Sequence, residues 1–359
     1  PASPSFSNVI DYITMASTGN AVDFGDATQA RVSLAGASSP TRGLFMGGTT
    51  ATDGSVKVNT TDFVQIMTTG NAADFGDLAT TRLNHAGTSS STRAVAIGGT
   101  TETSIEFLTI ASQGNGIDYG DLTTGKQTDA TSNSVRSVNY GGSTSPALQN
   151  SIDFFTITNG GTTTDFGDAV QSIFRCRGSS NSHGGLNDGY QGTRPIPFNE
   201  AGGDRMLISG GESSGSVSNI QSIQVSTTGN GNTFGDLSVP TDAGGGAGNK
   251  TRYLHCGGAA NPGNTRKSDI QYVTYSTEGN TADFGDMTDE KRGMSSSSNN
   301  TRALNFGGRD DPANLNIIDY VTIDTLGNAA DFGDLSAVTN SGSSVSSNTR
   351  ALFAGGRPS

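Results

Sequence analysis

The element Asp-Phe-Gly-Asp, or a one-residue variant of it, recurs seven times in this 359-residue chain. Its aromatic residues are Phe24, Phe75, Tyr119, Phe166, Phe234, Phe284 and Phe332, spaced 51, 44, 47, 68, 50 and 48 residues apart. A Gly-Gly pair follows each: Gly47-Gly48, Gly98-Gly99, Gly141-Gly142, Gly210-Gly211, Gly257-Gly258, Gly307-Gly308 and Gly355-Gly356. A period of roughly 40–50 residues with strand-like content means one supersecondary unit repeated, each burying its apolar faces against its neighbours. Seven such units predict an all-β fold, a seven-bladed β-propeller of four-stranded antiparallel blades. The repeat fills the chain, so residues 1–359 read as a single domain.

The last repeat shows the internal plan. Residues 318–323, Ile-Asp-Tyr-Val-Thr-Ile, are β-branched and aromatic and read as a strand. A Gly327-Asn328 turn follows, with both residue types tolerant of positive φ. Residues 330–335 carry the recurrent aromatic on a second strand, and the Ser/Gly stretch 341–347 reads as a thin strand of small residues. Residues 351–354 make the last strand, closed by Gly355-Gly356.

Hydrophobic content is 32%, low for a globular chain, yet the apolar residues recur at fixed places, which argues against disorder. Blades that stack face to face need few apolar residues per strand when Gly, Ala and Ser allow close approach. The net charge of −12 and sequence pI near 4.6 disfavour nucleic acid and anionic membranes as partners. No apolar run approaches the roughly 20 residues of a membrane span. The opening PASPSF has neither a charged start nor an apolar signal core. Cys176 and Cys256 fall in different repeats and read as small buried thiols, with an inter-blade bridge as the alternative.

The order of marks resembles the kelch repeat, in which a Gly-Gly strand is followed by a Tyr strand, a Trp strand and a Leu. Gly307-Gly308, Tyr320, Phe332 and Leu335 occupy those places, and Arg82 keeps the Arg that often follows. The departure is that the chain holds no Trp, and Phe or Tyr takes its position. The resemblance implies a blade ordered, from axis to rim, as thin strand, Gly-Gly strand, Tyr strand and Phe strand. Since the chain starts with a Tyr strand and ends with a Gly-Gly strand, that order implies a ring closed by a composite blade made from both termini, which removes the open sheet edges. The wording of the repeat, "STGNA-DFGDL" and "SS-TR-LF-GG", is also similar to repeat proteins of marine bacteriophages, cyanophages among them, some of which are virion or tail-fibre components.

An Arg precedes every Gly-Gly strand: Arg42, Arg93, Arg136, Arg205, Arg252, Arg302 and Arg350. The second Asp of the element is equally regular: Asp26, Asp77, Asp121, Asp168, Asp236, Asp286 and Asp334. What recurs in every unit serves the blade, so these residues are expected to be structural, the Arg fork holding carboxylates or turn carbonyls at seams. The first Asp is expected to cap a turn. Asp23 and Asp26 supply too few oxygens for calcium, and no metal or cofactor is expected. His85, His183 and His255 lie in three different units, and no nucleophile elbow or phosphate loop is present, so no catalysis is expected.

Specificity is expected where the units differ. The segments after each Gly-Gly vary, and they carry Asp53, Lys57, Arg266, Lys267, Arg309 and Asp310. An insertion at about 183–204 in the fourth unit carries Tyr190, Arg194 and Phe198, residue types favoured at binding hot spots. The expected function is therefore non-enzymatic binding or structure. The setting expected is a virion or other extracellular assembly, where the propeller contacts a partner protein or surface glycan. A soluble bacterial kelch-type scaffold is the alternative, and a glycan-active enzyme the third possibility.

Overall fold

A computed structural model of the chain describes residues 6–133, 135–144, 147–180 and 204–358. Seven four-stranded antiparallel sheets form a ring, and no helix occurs among the described residues. In blade 1 the order from axis to rim is an inner strand Ala35–Ser38, an arginine strand Arg42–Met46, a third strand Thr60–Gln65 and an outer strand Ala73–Asp77. Blades 2 to 6 follow in chain order with inner strands Ala86–Ser89, Gln127–Ser132, Arg177–Ser180, Gly245–Gly248 and Ser295–Ser298. Blade 7 joins Ser343–Ser346 and Arg350–Ala354 to Val9–Thr14 and Val22–Asp26. Ile10 pairs with Ala354 and Thr14 with Arg350, so the two chain ends share one sheet as the kelch-like order of marks implies.

The apolar residues do not form one central core. They form seven clusters, each at a seam between two blades. At the seam of blades 7 and 1, Ile10, Phe24 and Leu352 meet Phe45, Val64 and Ile66. This is how a chain of modest hydrophobicity buries enough surface: each sheet has two inner faces.

The recurrent element works at the rim. Ile10 faces Gly25 while Asp11 faces Asp23, so Phe24 is the extra residue of a bulge, and its ring is buried. The ring meets Tyr12 edge-on, with centroids 5.7 Å apart. Asp23 accepts the Gly25 N–H at 2.9 Å, and Asp74, Asp118 and Asp283 cap their glycines in the same way. The carbonyl of each aromatic then accepts an N–H from the tight turn of the next blade, as from Gly70 to Phe24 at 2.7 Å and from Gly19 to Phe332 at 2.6 Å. In six seams the N–H of the second Asp donates to the turn Asn, as from Asp26 to Asn71 at 3.1 Å. At the remaining seam Thr162 stands in the place of the Asn, leaving the bond that all seven seams share, here from the Thr163 N–H to the Asp121 carbonyl at 2.8 Å. A Cβ on Gly25 would stand 2.5 Å from the Gly70 carbonyl carbon, which explains why glycine recurs on this side of the seam.

Two further rings lie inside this one. Each recurrent Arg donates to a carbonyl of the next blade: Arg42 to Ile110 at 2.7 Å, Arg93 to Ile157 at 2.9 Å, Arg136 to Val225 at 3.0 Å and Arg205 to Tyr275 at 2.7 Å. Arg252 to Ile323 at 2.9 Å, Arg302 to Met15 at 2.6 Å and Arg350 to Ile66 at 3.0 Å complete the circle. Six of these guanidiniums also stand over the third-strand aromatic of their own blade, as Arg136 does over Phe154 at 4.5 Å. Nearest the axis, hydroxyls cross five seams to inner-strand carbonyls: Ser38 to Ser346, Ser132 to Ser89, Ser180 to Ser132, Ser298 to Gly248 and Ser346 to Ser298.

The third strands end earlier than sequence periodicity predicts. Ile323 was expected inside its strand, which stops at Thr322. The physical reason is the arginine ring: Ile323 and its equivalents stay buried, but their carbonyls turn toward the guanidinium of the preceding blade.

Candidate binding surfaces

The inner strands enclose a narrow channel of about 230 Å³ walled by Gly, Ala, Ser and Thr. At the end where the inner strands begin, it opens into a wider cavity of about 540 Å³. The rim of that mouth is made by residues two positions before the inner strands. Ser33, Asn84, Arg175, Ala243, Gly293 and Ser341 have φ of +58°, +52°, +54°, +50°, +65° and +57°. Left-handed backbone at non-glycine positions is uncommon, and here it is held by bonds from blade to blade. Asn84 N–H donates to the Ser33 carbonyl at 3.2 Å, Ala243 to Arg175 at 3.3 Å, Gly293 to Ala243 at 2.9 Å and Ser341 to Gly293 at 3.1 Å.

Beneath the mouth lies a set of buried ion pairs that sequence reading missed. Seven residues after the aromatic of the repeat stand Arg31, Arg82, Lys126 and Lys291. Each meets a third-strand carboxylate of its own blade: Arg31–Asp62 at 2.8 Å, Lys126–Asp153 at 3.1 Å, Lys291–Asp319 at 2.6 Å, and Arg82–Glu106. All eight side chains are essentially without solvent contact. The carboxylates also cap the turn after the rim element, as Glu106 does for the N–H groups of Ala79 and Thr80. Two blades use a neutral version, Ile173 with Gln221 and Thr241 with Gln271, and the Gln oxygens still accept from Val170 at 2.6 Å and Ser238 at 2.7 Å. The fixed offset from the aromatic was the available signal, but it alternates between Arg, Lys, Ile and Thr and so escapes a search for identity.

Blade 7 fits neither version. It keeps the acid, Asp11, but has Thr339 where the cation belongs. Asp11 Oδ2 accepts from the N–H and hydroxyl of Ser336 at 3.0 and 2.9 Å, while Oδ1 is buried without a partner. Burial pushes the Asp11 carboxyl up, against the pull of the Ser336 hydrogen bonds. The folded state therefore holds this proton to higher pH than the unfolded chain does. Its contribution is complete below the ordinary carboxylate value and is lost as pH rises through the raised one. Asp11→Asn is thus expected to raise the melting temperature at neutral pH, with a gain that shrinks as pH falls through the carboxylate range. Thermal melts from acid to neutral pH check this; a gain independent of pH would contradict it.

The predicted binding residues do not gather in one place. Arg266 and Arg309 converge, with Arg292, on the single carboxylate of Asp311. They sit where the hairpin formed by Arg252–Ala260 and Thr265–Thr274 stands beside the short hairpin of Arg309–Asp310 and Ala313–Asn314. Lys267 lies opposite Gly258 in the first hairpin, and Asp310 is exposed opposite Ala313 in the second. Arg292 is held below its usual range chiefly by burial, with Arg266 beside it adding to the effect. Across the ring on blade 1, Asp53 caps the Ser55 N–H at 2.9 Å, and Lys57 Nζ donates to the Thr100 carbonyl of blade 2 at 3.0 Å. Tyr190, Arg194 and Phe198, with the insertion that carries them, lie outside the described residues. The described strands on either side of it, Arg177–Ser180 and Arg205–Ser209, end and begin at the channel end opposite the mouth.

The described histidines, His85 and His255, and both cysteines are turned inward. His255 is buried, with Ser209 Oγ at 2.7 Å from Nδ1 and Thr241 Oγ1 at 2.8 Å from Nε2. His85 is buried beside the mouth, and burial, reinforced by the charges of Arg82 and Arg31, holds it well below the usual histidine range. Cys176 and Cys256 are buried thiols that form no disulfide, and burial pushes Cys256 up to about 12. Among the described residues no group of three or more His, Cys, Asp or Glu is placed to hold a metal.

No protein-family model matches this chain, and no curated protein matches it significantly.

Proposed function

We propose that the chain is a non-enzymatic propeller displayed on a bacteriophage virion or tail fibre, where its loops contact a partner protein or a host-surface glycan. One observation carries this reading: what repeats is consumed in the seams, and what varies lies at the loop face and the channel mouth. The seven arginines and seven rim elements are committed to neighbouring blades. The irregular residues, such as the hairpin pair around Asp311 and the polar side chains at the mouth, are left to meet a ligand. A β-propeller is consistent with a binding or scaffold role, and the buried state of the described histidines and cysteines supports binding over chemistry. The kelch-like order of marks and the phage-like wording of the repeat supply the setting.

The test is association. Mass spectrometry of phage particles purified through a density gradient is expected to recover the chain in constant proportion to the capsid protein. Recovery only from the soluble fraction of the host would favour an intracellular kelch-type scaffold and sink the display reading.

A further inference from the structure

We infer that the mouth cavity is a saccharide-binding site formed by blades 2, 3 and 4. This deepens the reading above by naming the ligand class of the same propeller. The scaffold is sevenfold, so a site must show itself as a break in the symmetry of equivalent positions. The side chains that line the mouth differ between sectors: Asn84 in blade 2, Gln127 and Asp129 at the start of the inner strand in blade 3, and Arg175 in blade 4. In blades 5, 6 and 7 the rim position holds only Ala243, Gly293 and Ser341. Large polar side chains therefore occupy three consecutive sectors, and small ones leave the opposite sectors open. Asn84, Gln127, Asp129 and Arg175 all border the cavity, together with the ring of Phe174.

The chemistry of that wall suits a sugar. Two carboxamides each offer donors and an acceptor, one guanidinium offers donors only, and one carboxylate accepts only. Adjacent hydroxyls on a pyranose need such donors and acceptors side by side. Arg175 is paired with Glu212 at 3.4 Å, so with Asp129 beside it the wall carries no positive excess for an anion, in a chain already at −12. The volume, about 540 Å³, is within the range of about 300–1,000 Å³ seen for small-molecule sites.

Saturation-transfer NMR on the full chain, with the methyl glycosides of glucose, galactose, mannose and N-acetylglucosamine, tests this. At least one glycoside is expected to bind. Asp129→Asn and Arg175→Ala are each expected to weaken it about ten-fold or more, the loss of a hydrogen bond to a charged group. Ser341→Ala, in the open sector, is expected to change affinity less than about two-fold. An unchanged melting temperature verifies that both mouth variants fold. Absence of signal from all four glycosides, or binding that survives both mouth variants, overturns the inference. Particles that retain the chain while the glycosides fail would remove the saccharide and leave the display reading intact; loss of the chain from particles with glycoside binding preserved would do the reverse.

Discussion

Removing residues 350–359 is expected to abolish cooperative unfolding of the whole chain, not of one blade. The deleted strand is the middle of the composite blade, paired on one side with Val9–Thr14 and on the other with Ser343–Ser346. Its side chains serve two cores at once: Leu352 and Ala354 pack at the seam with blade 1, Ala351 and Phe353 at the seam with blade 6. Burying a Leu or Phe stabilises by about 1.5–3 kcal/mol each. Two strand ladders and the bond from Arg350 to the Ile66 carbonyl are lost as well. Together these losses are comparable to the roughly 5–15 kcal/mol that holds an ordinary domain folded. Calorimetry and near-UV circular dichroism check the outcome. A truncated chain that melts in one sharp transition within a few degrees of the full chain would show that ring closure is dispensable. A circular permutant is the control: Ser7 N–H lies 3.1 Å from the Gly356 carbonyl, so joining the ends and reopening the exposed loop near Asp53 should preserve the fold.

Arg82→Ala is expected to destabilise by about 3–5 kcal/mol, because it leaves the Glu106 carboxylate buried without its cation. Arg82 also donates to the Gly98 and Ser104 carbonyls at 3.1 and 2.9 Å, which adds to the loss. The chain already contains the remedy. Blade 4 fills the same two places with Ile173 and Gln221, and the Gln still caps the turn through its amide oxygen. The double variant Arg82→Ile with Glu106→Gln is therefore expected to recover most of the stability that the single one loses. A double-mutant cycle in urea measures the coupling. If the double variant is no more stable than Arg82→Ala, the damage comes from the lost carbonyl bonds and not from an orphaned charge.

Much of the architecture was legible before any coordinate was seen. Phe24 and its equivalents mark the period, Gly47-Gly48 and its equivalents mark the strand ends, and the unlike first and last strands, in the kelch-like order, imply a shared blade. The repeated Arg was legible as a seam residue by its recurrence alone, although its acceptor, a carbonyl such as that of Ile110, was not. The ion pairs were illegible for a definite reason. Arg31, Arg82, Lys126 and Lys291 share a place but not an identity, and their partners lie 24 to 31 residues away on another strand. The mouth residues were harder still, since Asn84, Gln127 and Arg175 look like ordinary loop residues until the ring brings them round one cavity.

Period and strand alternation are local properties, written in neighbouring residues, so the sequence by itself determined the number of blades and the strands in each, while the kelch-like order of marks implied their order and the way the ring closes. Which side chains meet across a seam or around the axis depends on distances between residues some fifty apart or more, and only the closed ring sets those. Thus Asp11 reads as one acid among many until the fold places it in a socket whose cation is missing. Three unremarked polar residues likewise become a wall only when seven sheets are bent into a circle.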